Sequence, residues 1–305
     1  MTIFEKLGFN DLEFGEVQSV DEMTVLPIVG EDRNEGISNP EEVTFQETSN
    51  YGSMVFQNTG DGIGIIPSNT MIISEKAAQD HAMSDVGLVP TKEKISFNNA
   101  VCIQSSQGGQ LSNKKNQYDI LPLELRKALL NTDLRYQEEY SKLWDSIEKF
   151  LADIPEVRQS AHLEYFFRPY EKELNDFVGE FEPIENQLGA AIFFNMQPVG
   201  IEIMPSNKHW EYYWRWILRG CYGAQLLKLR LTNKISPQKL DFKDDIESFI
   251  NDFTSSLIKQ VNKLPELSLI GQLDIGGFQK RFVLSGNTGG DIVVRNNQAV
   301  YASIV

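Results

Sequence analysis

From Thr24 to Ser105 the chain advances in short runs bounded by turn residues, and that texture is the strongest constraint on its fold. "TVLPIVG", "EEVTFQET", "GSMVFQN", "GIGIIPSNTMII", "VGLVP" and "KISFNNAVCIQ" are apolar or alternating segments. Turn chemistry such as "NTGDG" and "VPTKEK" separates them, so this part reads as β-structure. Residues 107–118, "QGGQLSNKKNQY", are polar and glycine-bearing, the composition of an exposed loop.

The texture then changes. Asn131 or Thr132 can cap a helix through "DLRYQEEYSKLWDSIEKFLADI", where Leu134, Tyr140, Leu143, Trp144, Ile147, Phe150 and Leu151 recur at helical spacing until Pro155. A second helical stretch is expected around Arg158 to Phe177, weakened by Pro169. "GAAIFFNMQPVGIEIM" reads as two strands around a turn at Gln197-Pro198. An aromatic helix follows, capped by Ser206 or Asn207. Another helix is expected from about Lys243 to Val261, before "LSLIGQLDI", "QKRFVLSG" and "DIVVRNNQAVYASIV" return to strand patterning. The order strands, helices, mixed segment, strands predicts an α+β fold. Its sheets are largely antiparallel and pack with a helical segment and an aromatic-rich helix. We take residues 1–22 as an acidic leader and 23–305 as one domain, β-rich over 23–117, helical over 121–180 and mixed over 186–305.

Composition narrows the function classes. Apolar residues at 41% of a 305-residue chain exclude wholesale disorder. Two cysteines are too few for a disulfide scaffold. No apolar run approaches the ~18 residues of a membrane span, and "MTIFEKLGFNDLEFGE" lacks the pattern of a secretory signal, so a soluble cytoplasmic protein is expected. The net charge is -15. Residues 1–50 hold 12 acidic groups against Lys6 and Arg33, a net of -10, leaving -5 for the rest. Such a chain repels phosphate backbones, so general nucleic-acid binding is not expected. The acidic segment reads as a solvated leader or as a docking segment for a basic protein partner. The oligomeric state is left open.

Familiar catalytic motifs are absent from the sequence. His81, His162 and His209 stand apart from one another, and no compact Asp-x-Asp cluster occurs, so neither a metal nor a cofactor is predicted. "GDGIG", Gly60–Gly64, precedes "IIPSN" and not a helix, and it lacks the Lys-Ser/Thr of a phosphate loop. It reads as a hairpin turn. Cys102 sits inside the strand pattern "NAVCIQ", where a buried inert thiol is the default. The aromatic helix carries Trp210, Tyr212, Tyr213, Trp214 and Trp216 around Arg215 and Arg219. It reads first as core, and second as a stacking face for a ring with an arginine for an anion.

One stretch stands out. "AAQDHAMSDVGLVP" sets Gln79, Asp80 and His81 in a row where an apolar strand should be ending. With its neighbours, "FQNTGDGIGIIPSNTMIISEKAAQDHAMSDVGLVPTKEKISFNNAVCIQSSQGG" resembles a domain family associated with ADP-ribosylglycohydrolases and rhodanese-phosphatases. That family runs strand, Asn-Gly/Asp turn, apolar strand, Gly-Glu, Lys-Gln-Asp/Asn-Arg, Val-Pro, Cys-Val-Glu and Gln-Gly-Arg-Trp. Gln79 and Asp80 fall on its Gln-Asp/Asn pair, Cys102 on its cysteine, and Gln107 and Gly108 on its Gln-Gly. "YSKLWDSIEKFL" is similar to its tryptophan helix, and the segment from "AIFFNMQPVGIEIM" to "YGAQLL" to its later strand-turn-strand-helix unit. The chain departs from the pattern near Ser68 and Asn69, where a carboxylate is replaced. His81 replaces an arginine, Gln104 a glutamate and Gly109 an arginine.

The resemblance implies a link to NAD and ADP-ribose metabolism, with Gln79, Asp80, His81, Cys102 and Gln104 as ligand-binding residues. A neutral amide can orient a ligand but cannot act as a base near pH 7. This tilts the reading towards binding of a small nucleotide-like ligand with little or no catalysis. Two alternatives stand beside it. One is an enzyme acting on such a metabolite, with Asp80 as base or orienter and His81 as acid or anion contact. The other is a protein–protein interaction module without a ligand. For the Gln79–His81 stretch itself, a polar pocket and a hydrogen-bonded structural corner are both open.

Overall fold

The computed structural model describes residues 11–48, 50–74, 80–105, 109, 116–155, 157, 160–195, 197–236 and 273–305. They form an α+β fold of antiparallel sheets with a few helices. The chain divides into two compact units. One comprises residues up to Arg33, Pro183–Trp210 and Ile235–Val305; the other comprises Asn34–Glu182 and Glu211–Lys234.

The first unit is a nine-stranded antiparallel sheet. The strand Met23–Val29 pairs with Gln187–Phe194, which pairs with Gln197–Ile203. The two strands expected here form, but Gln197 and Pro198 lie within the second, opposite Phe194 and Phe193, so the chain reverses earlier than expected, where Asn195 takes a positive φ. The meander Phe278–Ser285, Thr288–Arg295 and Gln298–Ile304 completes it. One face buries Leu26, Ile28, Ala191, Phe193, Ile201, Ile203, Ile292 and Ile304. Residues 11–22, expected as solvated leader, are built into this sheet. Glu13–Phe14 and Gln18–Val20 both pair with Met23–Val29, and Leu12, Phe14 and Val17 pack on the apolar face. The acidic groups mask this alternation in the sequence, because Asp11, Glu13 and Asp21 are exposed while the apolar residues between them turn inward.

The second unit holds three smaller sheets, and its strands before Ser105 fall within the region read as β. Asn116–Ile120 is a correction, because residues 116–118, expected as part of an exposed loop, pair with Thr70–Ser74. Val43–Glu47, Met54–Asn58 and Lys94–Phe97 form one sheet. Thr70–Ser74, His81–Ala82, Val101–Cys102 and Asn116–Ile120 form another. The glycine stretch at Gly60–Gly64 turns the chain but does not close the hairpin expected, because Met54–Asn58 pairs with Val43–Glu47 and Lys94–Phe97 whereas Gly64–Ile66 pairs with Gly87–Val89. Asn58 Nδ2 donates to Gly62 O, and Gly60 N–H donates back to Asn58 Oδ1.

The expected long helix after Asn131 is broken. Asn131 caps it as predicted, with Oδ1 accepting from Asp133 and Leu134 N–H. The helix stops at Tyr136, however, and resumes at Trp144–Leu151. Two competing sets of hydrogen bonds explain the gap. Lys142 Nζ donates to Arg135 O and Gln137 O, at 3.0 and 2.6 Å, carbonyls a continuous helix would use. Glu139 Oε1 meanwhile accepts from Ser141 N–H and Oγ. Burial holds the Lys142 ammonium at about 8, below its ordinary value, even as Asp85 opposes the shift. Lys142→Met, similar in length but without donors, is expected to lower stability by about 1–3 kcal/mol at pH 7, read by urea unfolding. An unchanged midpoint would show that the loop holds itself.

Pro169 likewise divides the second helical stretch into Glu164–Phe167 and Glu171–Val178. The aromatic helix Asn207–Trp216 runs into a π-helical segment, Ile217–Gly223, and then Ala224–Leu231. Gly220 allows this segment to lie against the strand Asn116–Ile120, since a Cβ there would stand 2.5 Å from Ile120 O. The close approach joins Arg219 to Asp119 in a buried ion pair. The helix expected from Lys243 to Val261 lies outside the described residues.

Candidate functional site

His81 and Cys102 face each other in register, because the two-residue strand His81–Ala82 pairs on one side with Val101–Cys102 and on the other with Met71–Ile72. Asp80 stands just before this strand and Gln104 two residues beyond its partner. The four side chains are 2% exposed or less. Gln79, Gln107 and Gly108 lie outside the described residues.

The polar groups here close a ring. Ser74 N–H donates to Asp80 Oδ1 at 2.8 Å, and Asp80 N–H donates to Gln104 Oε1 at 3.3 Å. Gln104 Nε2 donates to Glu164 Oε1 at 2.7 Å. Arg168 pairs with Glu164 Oε2 at 2.8 Å and donates to Ser74 O at 3.2 Å, which returns to the start. Glu164 and Arg168 are the members that the motif reading missed. Their i, i+4 spacing across "EYFFR" was the available signal.

Burial tunes two titratable groups at this corner, Asp80 and Cys102. Desolvation raises the Asp80 carboxyl to about 8; Glu164 adds to the shift, while the Ser74 N–H and Arg168 oppose it. Asp80 therefore carries a proton at neutral pH and can donate but not accept one. His81 Nε2 accepts from Gly52 N–H at 3.0 Å, so this nitrogen is unprotonated. Cys102 Sγ donates to Gln104 O at 3.1 Å, and burial pushes the thiol up to about 11. Trp144 Nε1 donates to Cys102 O at 3.0 Å, tying the tryptophan helix to the same corner.

Cavities lie elsewhere among the described residues. In the first unit, a groove of about 870 Å³ is lined by Asp11, Glu13, Glu31, Asp32 and Glu185 with Asn186 and Asn207. Its field repels phosphates. In the second unit, a cavity of about 110 Å³ lies between the strand residues Phe45, Phe56 and Tyr118 and the helix residues Tyr212, Tyr213 and Trp216. Tyr118 stacks on Trp216 with centroids 5.2 Å apart and planes at 16°. Tyr213 and Tyr212 meet Trp216 edge-on at 5.0 and 5.5 Å. Tyr212 is 41% exposed, so the cavity reaches solvent, while Trp210, Tyr213 and Trp214 are core.

The family defined as ARG and Rhodanese-Phosphatase-superfamily-associated Protein domain, ARPP-1, matches residues 11–305. The chain belongs to this family. No curated protein and no solved structure matches it. The ARPP-1 match begins at residue 11 and so includes the two short strands of the acidic segment. It extends through the polar ring, the aromatic cavity and the C-terminal meander. Among the described residues, no group of three or more His, Cys, Asp or Glu is placed to hold a metal ion, and no helix is long and apolar enough to cross a membrane.

Proposed function

We propose that this ARPP-1 chain binds a small nucleotide-like ligand and does little or no chemistry on it, with the ligand's ring seated in the aromatic cavity. The observation that carries this reading is the cavity itself, where Tyr118, Tyr212 and Trp216 present ring surface beside solvent. Stacking on aromatic side chains contributes about 1–3 kcal/mol per base. At about 110 Å³ the space suits one ring and leaves a sugar and phosphates outside. Arg215, exposed and three residues after Tyr212, adjoins it on the helix surface and supplies a cation for an anionic tail.

Little chemistry is expected at the polar ring, because a protonated Asp80, an engaged His81 nitrogen and a neutral Cys102 offer neither base nor nucleophile. The family's name, which associates it with ARG proteins, favours ADP-ribose and NAD as first ligands to try. The test is calorimetric titration with ADP-ribose, NAD⁺ and adenosine. Tyr212→Ala should weaken binding about tenfold or more, while lowering stability by only about 1–2 kcal/mol, because the residue is half-exposed and meets Tyr213 and Trp216 edge-on. Equal binding by the variant, or no binding by the parent protein at millimolar ligand, would remove this reading.

The enzyme alternative keeps one specific support. Asp80, protonated, stands beside an arginine-paired Glu164, and acid–base pairs in enzymes are built from carboxyls in unlike environments. Turnover of NAD⁺ or ADP-ribose that disappears in Asp80→Asn would favour it.

A further inference from the structure

Six of the eleven residues lining the cavity are aromatic: Phe45, Phe56, Tyr118, Tyr212, Tyr213 and Trp216. The others are aliphatic, proline or threonine, so no Lys or Arg lines the space. An aromatic ring has a negative face and a positive edge, so a small volume met by ring faces takes a negative potential without a formal charge. A carboxylate adds to it. Glu41, on the turn Pro40–Glu42 that leads into the lining strand Val43–Glu47, acts electrostatically on the Tyr212 hydroxyl. Nearby, Glu42 accepts from Asn39 N–H at 2.8 Å, and Glu47 pairs with Lys94 at 3.0 Å.

We propose that this cavity selects an organic cation whose charge is spread over alkylated nitrogen, either a quaternary ammonium or an N-alkylpyridinium group. The proposal rests on the reading of the cavity as a ligand site and names the chemistry it prefers. A primary ammonium or an inorganic cation holds its water too tightly to enter an apolar space of this size. An alkylated nitrogen gives up little hydration and gains the ring faces, the principle of aromatic cages for quaternary ammonium. A phosphate finds no cation among the lining residues. A neutral ring gains stacking alone.

The full-length protein is titrated with two matched pairs, following tryptophan fluorescence and heat. One pair is 1-methylnicotinamide cation against neutral nicotinamide. The other is choline against its neutral carbon isostere, 3,3-dimethylbutan-1-ol. Each cation is expected to bind at least tenfold tighter than its neutral partner, with the advantage reduced several-fold by Glu41→Gln and by added salt. Preference within the first pair only identifies a flat ring, and preference within the second only identifies a tetrahedral head; each supports the proposal. Equal affinity within both pairs overturns cation selection while leaving the cavity a ring-binding site. No binding of any probe, with no response to ADP-ribose, NAD⁺ or adenosine, overturns both readings.

Discussion

Asp80→Asn flattens the pH dependence of stability, whereas Asp80→Ala flattens it too but lies below Asp80→Asn at every pH. The two outcomes separate because Asp80 plays two parts. Its Oδ1 accepts the Ser74 N–H at 2.8 Å inside the protein, and alanine leaves that donor unpaired at a loss of about 1–3 kcal/mol. Asparagine supplies an equivalent oxygen and cannot ionise. The carboxyl's folded value, about 8, lies above the unfolded value near 4. A group raised in this way contributes stability that is fully present below its unfolded value and is lost as pH rises through about 8. Between these limits the native state binds the extra proton, so stability falls by roughly 1.4 kcal/mol per pH unit from this group alone. Asp119, raised by burial to about 6 despite Arg219, adds a similar slope only at the acid end. Urea unfolding from pH 5 to 9 checks this. A parent protein with constant stability above pH 6, or an asparagine variant that follows the same curve, would falsify the protonated corner.

Deleting residues 1–22 is expected to reduce the melting temperature by about 6 °C or more and to make the product aggregate. The deletion removes both short strands paired to Met23–Val29, together with Leu12, Phe14 and Val17. Each of these side chains is partly buried and contributes about 1 kcal/mol, which sums to a loss on the order of 3 kcal/mol. For a chain of this size ~2 °C accompanies each kcal/mol. The loss of Glu13–Phe14 and Gln18–Val20 also bares a strand reading "MTVLPIV", an apolar edge of the kind that recruits other chains. Scanning calorimetry and gel filtration read the two effects. An unchanged melting temperature and a monodisperse product would return these residues to the status of a solvated leader.

Much of this architecture was legible from side-chain order alone. The short runs after Thr24 became strands because alternation and turn residues are local properties, set by which face of a pleat meets water. Asn131 capped a helix, Pro169 divided one, and "GDGIG" made a turn, each through bonds to residues a few positions away. The aromatic helix was legible as core, but Tyr212 and Trp216 carry the same letters as their buried neighbours. Their exposure depends on where strand residues such as Phe45 and Tyr118 arrive.

Long-range partners decided the rest. The helix after Asn131 breaks because Lys142 reaches back to carbonyls that helical propensity would have assigned otherwise, and Cys102 N–H takes Tyr140 O at 2.8 Å from a distant strand. The acidic segment became two strands because Met23–Val29 offered it an unpaired edge. Asp80 was conspicuous in the sequence as a polar residue in an apolar run, but its proton was not. An ionisable group takes its charge state from the water it loses and the charges it meets. For Asp80 these are its burial, the Ser74 N–H, Glu164 and Arg168, which only the tertiary structure brings to one place.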